Sequence, residues 1–294
     1  MSRVLLTGSR GLLGSRVRDL LIENRHEVIG LDFQPATNTG DVVGSITDKA
    51  LVAKLVEEAE SVIHIAAVID ESSIESIQKL NEINILGTAN VLTAAANTNK
   101  KVVAASSGSV YGPDSSRSPF TEDSEIPATE LKPYGFSKFV NEQTAKSFSR
   151  FSDFEWIGLR LAAILGGGLN RVGTSAHLFD ALNSKTNQIQ LDTNPENSID
   201  WIDVNDAAKL FVLALEAQNL SGVINVSSGV ATSTGKLVNQ LADIAGEKLE
   251  IEWNYSAPAN TRIYKNDLCK EILGYTPNTD LTRALTEVVT AKHN

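Results

Sequence analysis

Across the first two-thirds of the chain, short apolar runs alternate with amphipathic stretches. Strands covered by helices on both faces read as unbroken apolar runs, so this alternation predicts βαβ units around a parallel sheet. The strands it predicts are Arg3–Thr7, Glu27–Asp32, Ser61–Ile65, Val102–Ser106 and Trp156–Leu161. Between them, apolar residues recur three and four apart, which predicts helices over Leu12–Asn24, Lys49–Ala59, Ile74–Asn97 and Tyr134–Phe148. After Leu161 the texture changes. Gly166-Gly167-Gly168 interrupts the pattern, and later elements are shorter and separated by Asn, Thr, Ser and Pro. The expected division is a sheet-forming domain over residues 1–165 and a smaller substrate lobe over residues 166–294. Within the second part, residues 199–227 are expected to return to the sheet, as a helix over Asp203–Ala217 and a strand over Val223–Val226.

With 294 residues, 42% of them hydrophobic, the chain is long enough to bury an α/β core. A net charge of −10 repels a phosphate backbone and argues against nucleic acid as a partner. The apolar runs fall far short of the ~20 residues that span a bilayer, so no membrane is expected. Cys269 is the single cysteine, which leaves no intrachain disulfide, and the first residues run into a strand pattern in place of a signal peptide; the expected location is cytoplasmic. Cys269, His26, His64, His177 and His293 show no metal-ligand spacing, so no metal is expected. No G-x-S-x-G elbow follows an apolar run, which argues against a serine hydrolase.

The first candidate chemistry is Thr7-Gly8-Ser9-Arg10-Gly11-Leu12-Leu13-Gly14, a strand end with glycines three apart opening into a helix. Missing Cβ atoms let the backbone turn tightly and approach a pyrophosphate, whose charge the free N–H groups of a helix N-terminus then hold. Asp32 ends the next strand, where a carboxylate accepts both ribose hydroxyls of an adenosine and repels a 2′-phosphate. NAD is therefore expected over NADP. Arg10 is the competing signal, a loop cation able to reach a 2′-phosphate, and Asp32 is weighted above it because it sits at the ribose end.

The second candidate is Tyr134 and Lys138, four apart and so on one helix face. A free phenol titrates near 10, too high for a base at neutral pH, but a nearby ammonium and an oxidised nicotinamide both favour the phenolate. Such a pair read alone is a surface feature; the upstream loop gives it a role. Ser106-Ser107-Gly108-Ser109 places hydroxyls at the carboxyl edge of a strand, where open α/β sheets bind ligands, and Ser107 can donate to the reacting oxygen.

Together with His64-Ile65-Ala66-Ala67, Asn84-Ile85-Leu86-Gly87-Thr88, Val110-Tyr111-Gly112 and Leu159-Arg160, these motifs resemble the extended short-chain dehydrogenase/reductase family, the NAD-dependent epimerase/dehydratase group. The resemblance implies a Rossmann-type doubly wound parallel sheet with a C-terminal substrate lobe. It also implies Ser107, Tyr134 and Lys138 as the catalytic trio, with Lys138 on the nicotinamide ribose. Gly8, Arg10, Gly11, Leu12, Leu13, Gly14, Asp32 and Ser106 join Ile65, Ala66, Ala67 and Asn84 as expected cofactor contacts. Ser45-Ile46 stands where the family usually has Asp and an aliphatic residue near adenine. Sugar-nucleotide members often hold a diphosphate with Asn after the Leu-Arg pair and Arg before an Asp-aromatic-Ile-His-Val stretch. Here Ala163 and Ile199 occupy those places, which implies a weaker hold on a diphosphate, with Arg262 or Arg171 as candidate replacements and Ser109 as a polar substrate contact. Dehydratases of the group place Asp-Glu after the catalytic hydroxyl, where this chain has Gly108-Ser109.

The function expected is an NAD-dependent epimerase or dehydrogenase oxidising a secondary hydroxyl of a sugar or sugar derivative, with a homodimer as a candidate assembly. The alternatives are a catalytically inactive nucleotide-sensing binding protein and a reductase of a non-sugar carbonyl substrate.

Overall fold

The structure, a computed structural model, describes residues 2–36, 38–167, 175–183 and 188–292. Its first half runs β1 (Arg3–Thr7), α1 (Leu12–Glu23), β2 (Glu27–Asp32), β3 (Val42–Val43), α2 (Lys49–Glu58), β4 (Ser61–His64), α3 (Ile74–Leu80), α4 (Thr88–Asn97), β5 (Lys101–Ser107), α5 (Pro133–Phe148) and β6 (Trp156–Leu161). There follow β7 (Ala163–Leu165), α6 (Ala176–Leu182), β8 (Gln188–Leu191), β9 (Ser198–Asp203), α7 (Val204–Glu216) and β10 (Gly222–Val226). The chain ends with β11 (Ala231–Ser233), α8 (Thr234–Ala245), β12 (Glu250–Trp253), β13 (Thr261–Arg262), α9 (Asp267–Leu273) and α10 (Leu281–Lys292).

Among the described residues, seven strands form one sheet in the order β3-β2-β1-β4-β5-β6-β10, every pair parallel. This is the α/β doubly wound fold expected. The period-2 alternation of a strand splits its apolar residues between two cores. Val4 and Leu6 face α1 and α7, through Leu13, Val17, Ala207 and Phe211. Leu5 faces α2 and α4, through Val52, Leu55, Val91 and Leu92. Since α1 and α2 cover opposite faces, the winding reverses between β1 and β4. A crevice opens there at the carboxyl ends, the place where such sheets take ligands.

Two departures from the sequence pattern matter for the site. The helical run expected over Ile74–Asn97 contains a π-helical stretch, Asn81–Gly87, between α3 and α4; such stretches shift the register of the following side chains. The short β3 has no periodic signature because two residues cannot display one. The smaller lobe pairs β9 with β7, β11 and β13, and β8 with β12, around a third core containing Leu165, Leu178, Trp201, Leu237 and Leu285. Between the lobes, Tyr111 stacks on Phe120 at 4.8 Å and Tyr264 lies against both.

Candidate active site

A single cavity of about 1220 Å³ runs along the crevice, from the Gly8–Gly14 turn past the ends of β4 and β5 to the smaller lobe. That exceeds the roughly 300–1,000 Å³ of a pocket for one drug-sized ligand, so there is room for a large cofactor and a substrate together. Gly8, Gly11, Leu12, Leu13 and Gly14 line one end. Gly8 has φ +70°, and a Cβ there would lie 2.7 Å from the Ala66 nitrogen. At Gly14 a Cβ would collide with the Gly8 carbonyl oxygen. Gly11 is the N-cap of α1 and supplies no side-chain cap, so the first N–H groups of this twelve-residue helix face the cavity without a side-chain partner. A buried, uncapped helix start with its glycines on the wall fits a pyrophosphate.

Asp32 lies in the same wall, 8% exposed, and its carboxylate accepts from the N–H groups of Arg10 at 3.0 Å and Gln34 at 3.1 Å. Two backbone donors fix the carboxylate's plane and leave lone pairs for ribose hydroxyls. Arg10, expected among the cofactor contacts, is not among the residues lining the cavity; its backbone N–H orients Asp32. Ser45, Ile46 and Phe33 also line the cavity, with the Ser45 hydroxyl bonded to that of Thr47 at 2.8 Å. Ile65, Ala66 and Ala67 also line the cavity.

Asn84, also expected among the cofactor contacts, is wholly buried and lies behind the wall. The π-helical stretch turns its amide so that Oδ1 accepts from the Val68 N–H at 2.8 Å and Nδ2 donates to the Val68 carbonyl at 2.8 Å and to Ser137 Oγ at 3.2 Å. It clamps the loop after β4 to α5 and acts on the site through them. His64 closes the same network as a neutral ring, between Thr7 at 2.7 Å and Thr88 at 2.9 Å; burial, aided by the charge of Lys138, pushes it down to about 3.

Ser107, Tyr134 and Lys138 converge on the middle of the cavity. Ser107 ends β5 and its hydroxyl bonds both Ser109 Oγ and the Ser109 N–H at 3.1 Å. Tyr134 sits in the first turn of α5, where Pro133 starts the helix without sacrificing a donor. Its side chain is half-buried, but the phenol end lies deep, and loss of water pushes it up to about 12 against an opposing hydrogen bond from Ser107. Lys138 follows one turn later, 4% exposed, with Nζ donating to the Ala105 carbonyl at 2.8 Å and standing 5.7 Å from the Tyr134 ring centre. Burial draws the ammonium down to about 8, with the Glu142 carboxylate opposing. Ser106 also lines the cavity, but its hydroxyl donates to Glu142 at 2.5 Å, and Glu142 in turn holds Arg160 through bonds of 3.0 and 2.7 Å.

The end beneath the smaller lobe is walled by Ala162, Ala163, Ile164, Ile199 and Trp201, with Ser109, Asn260 and Arg262 as polar groups. The Arg262 guanidinium donates to the Gly112 carbonyl at 2.7 Å and lies 5.6 Å from the Phe120 ring centre. A Cβ at Gly108 would collide with the Tyr264 ring, so this turn has no space for the larger residues dehydratases carry. Arg171 lies outside the described residues. Sequence reasoning missed Glu71, Lys79, Lys132 and Asn260 on the wall. For Glu71 a signal existed: Asp70-Glu71 follows the His64–Ala67 block at a carboxyl sheet edge. Among the described residues no metal-binding cluster is present and no helix is long and apolar enough to cross a membrane.

A Gly-rich turn, a buried carboxylate at the end of β2 and a Ser-Tyr-Lys set share one crevice of a parallel sheet, an arrangement that fits a short-chain dinucleotide-dependent oxidoreductase. The sequence model of the NAD dependent epimerase/dehydratase family matches residues 4–227, and the chain belongs to that family of NAD-dependent enzymes. It is 32% identical to a Methanocaldococcus jannaschii protein provisionally named a UDP-glucose 4-epimerase, over 97% of each chain. It is 28% identical to a UDP-glucose 4-epimerase of Mycolicibacterium smegmatis, over 98% of this chain and 97% of the relative. The fold also matches the crystal structure of a UDP-glucose 4-epimerase of Stenotrophomonas maltophila with bound NAD and formylated UDP-arabinopyranose, at TM-score 0.88 and 22% identity, over 100% of this chain and 98% of that one.

Proposed function

We propose that the protein is an NAD-dependent epimerase or dehydrogenase that oxidises a secondary hydroxyl of a sugar or sugar derivative. The observation that carries this reading is that Ser107, Tyr134 and Lys138 meet in the cavity that also holds the Gly8–Gly14 turn and Asp32. The turn and the start of α1 hold the pyrophosphate, Asp32 takes the adenosine ribose, and Lys138 takes the nicotinamide ribose. When bound, NAD supplies the hydride acceptor. Ser107 donates to the substrate oxygen and fixes it beside Tyr134, whose phenolate removes the hydroxyl proton as the carbon is oxidised. Lys138 stabilises that phenolate by its charge. The relatives' names support the epimerase branch, in which the ketone is reduced again on its other face and Tyr134 returns the proton.

For the substrate, the relatives' names point to a UDP-linked sugar. The wall tempers this, because the side chains of Ala163 and Ile199 offer a diphosphate no polar contact, although Arg262, Asn260, Ser109, Ser175 and Tyr264 are polar groups of the same lining. The test incubates the protein and NAD with UDP-hexoses, free sugars and sugar acids, following NADH absorbance and product stereochemistry. Isomerised sugar without accumulating NADH is the epimerase result, and NADH in step with ketone marks a dehydrogenase. Cofactor binding with no Tyr134-dependent turnover on any member leaves the nucleotide-sensing alternative.

A further inference from the structure

The α5 helix carries Tyr134 and Lys138, yet its N-cap residue, Lys132, supplies no side-chain cap. The missing acceptor comes from a distant segment. Glu71, on the loop after β4, accepts the Tyr134 backbone N–H through Oε2 at 3.0 Å. Its loop is held by its own bonds: Asp70 accepts from the Ser72 N–H at 3.0 Å and the Ser76 hydroxyl at 2.8 Å, and Ser73 caps α3. Glu71 also lines the cavity, so the cap is a charged group inside the active site. A neutral Ser or Asn at position 132 would cap a helix as well. What a neutral residue would not bring is a negative charge in the cavity wall that Glu71 and Tyr134 share.

We propose that Glu71 is a positioning residue for Tyr134, a carboxylate that caps the helix bearing the phenol and keeps that phenol protonated until a cation enters beside it. The inference rests on Tyr134 being the base. Two negative charges in a cleft repel, and Glu71 acts on Tyr134 in that sense. The other groups facing the phenol are the Ser107 hydroxyl from β5 and the Lys138 ammonium from α5 itself. Lys132 before α5, Lys79 of α3 and Arg262 of β13 line the same cavity; His64 at the end of β4 is neutral, and Glu142 engages Lys138 from behind. The oxidised nicotinamide ring carries positive charge, so its arrival offsets Glu71 and frees the base when hydride can be accepted. Glu71 thereby couples proton removal to cofactor occupancy.

The test titrates Tyr134 by NMR of protein labelled with ¹³C at tyrosine Cζ, its resonance identified as the one absent from Tyr134→Phe, with and without NAD. Glu71→Gln keeps an acceptor for the helix N–H and removes the charge; its Tyr134 midpoint should fall below the parent's by about 0.5–1 pH unit. The ascending limb of the kcat/KM profile should move to lower pH by the same amount. Glu71→Ala removes the cap as well, and should lower thermal stability where Glu71→Gln does not. Equal Tyr134 midpoints in Glu71→Gln and parent would overturn the proposal. The titration needs no turnover, so it stands apart from the identification of Tyr134 as base, which fails if Tyr134→Phe retains native turnover.

Discussion

At the scale of single residues, the site combines groups whose ordinary chemistry is wrong for the task with neighbours that correct it. In the mechanism we propose, the Tyr134 phenol, pushed up to about 12 by burial, acts as a base only with help from Lys138 and a bound cation. Tyr134→Phe should lower turnover by about 10²–10⁴-fold while NAD affinity measured by calorimetry changes little, and Lys138→Ala should reduce both. In the proposed reading Asp32 discriminates by charge, so Asp32→Asn should narrow the gap between NAD and NADP affinities in parallel titrations; an unchanged ratio would move the discrimination elsewhere. His64 supplies a stability signature. The unfolded chain takes up its proton below the ordinary 6.5, whereas the folded ring resists until about 3. Stability is therefore lost as pH falls through that window, by about 2 kcal/mol between pH 6.5 and 5. Urea melts at the two pH values should show the loss, and His64→Gln should abolish this part of it.

At the scale of elements, the strands were legible because a buried parallel strand leaves a run of apolar residues, and Arg3–Thr7, Glu27–Asp32 and Trp156–Leu161 begin and end where the pattern does. The helix over Ile74–Asn97 was legible as apolar periodicity, but not its π-helical stretch, which changes hydrogen bonding without changing composition. The bonds of Asn84 to Val68 and Ser137 were not legible for that reason. The place of Glu71 at a carboxyl sheet edge could be read from the sequence, but not its partner, a backbone N–H sixty-three residues away that no spacing rule reaches. The Gly8–Gly14 turn was legible because only Gly tolerates its contacts. Gly14→Ala should abolish dinucleotide binding in a fluorescence titration, since the added methyl meets the Gly8 carbonyl; binding at parental affinity would show that the turn yields more readily than its packing implies.

At the scale of the whole molecule, the chain lays down six strands of the main sheet, leaves it to form β7, α6, β8 and β9, and then returns through α7 to add β10 as the seventh. The buried face of α7 completes the core over α1, and β10 pairs with β6 from Gly222–Ile157 to Val226–Leu161. On the ribosome this imposes an order. Until residue 226 has emerged, β6 presents a bare edge and Val17 and Leu21 lack their cover, so a nascent chain already holding the whole Gly8–Gly14 turn is still sticky. A chain released at residue 165 should accordingly collect in the pellet, and one released at residue 230 should be markedly more soluble, as sedimentation of the two translation products would show. The pause between the two is where a chaperone would find this protein.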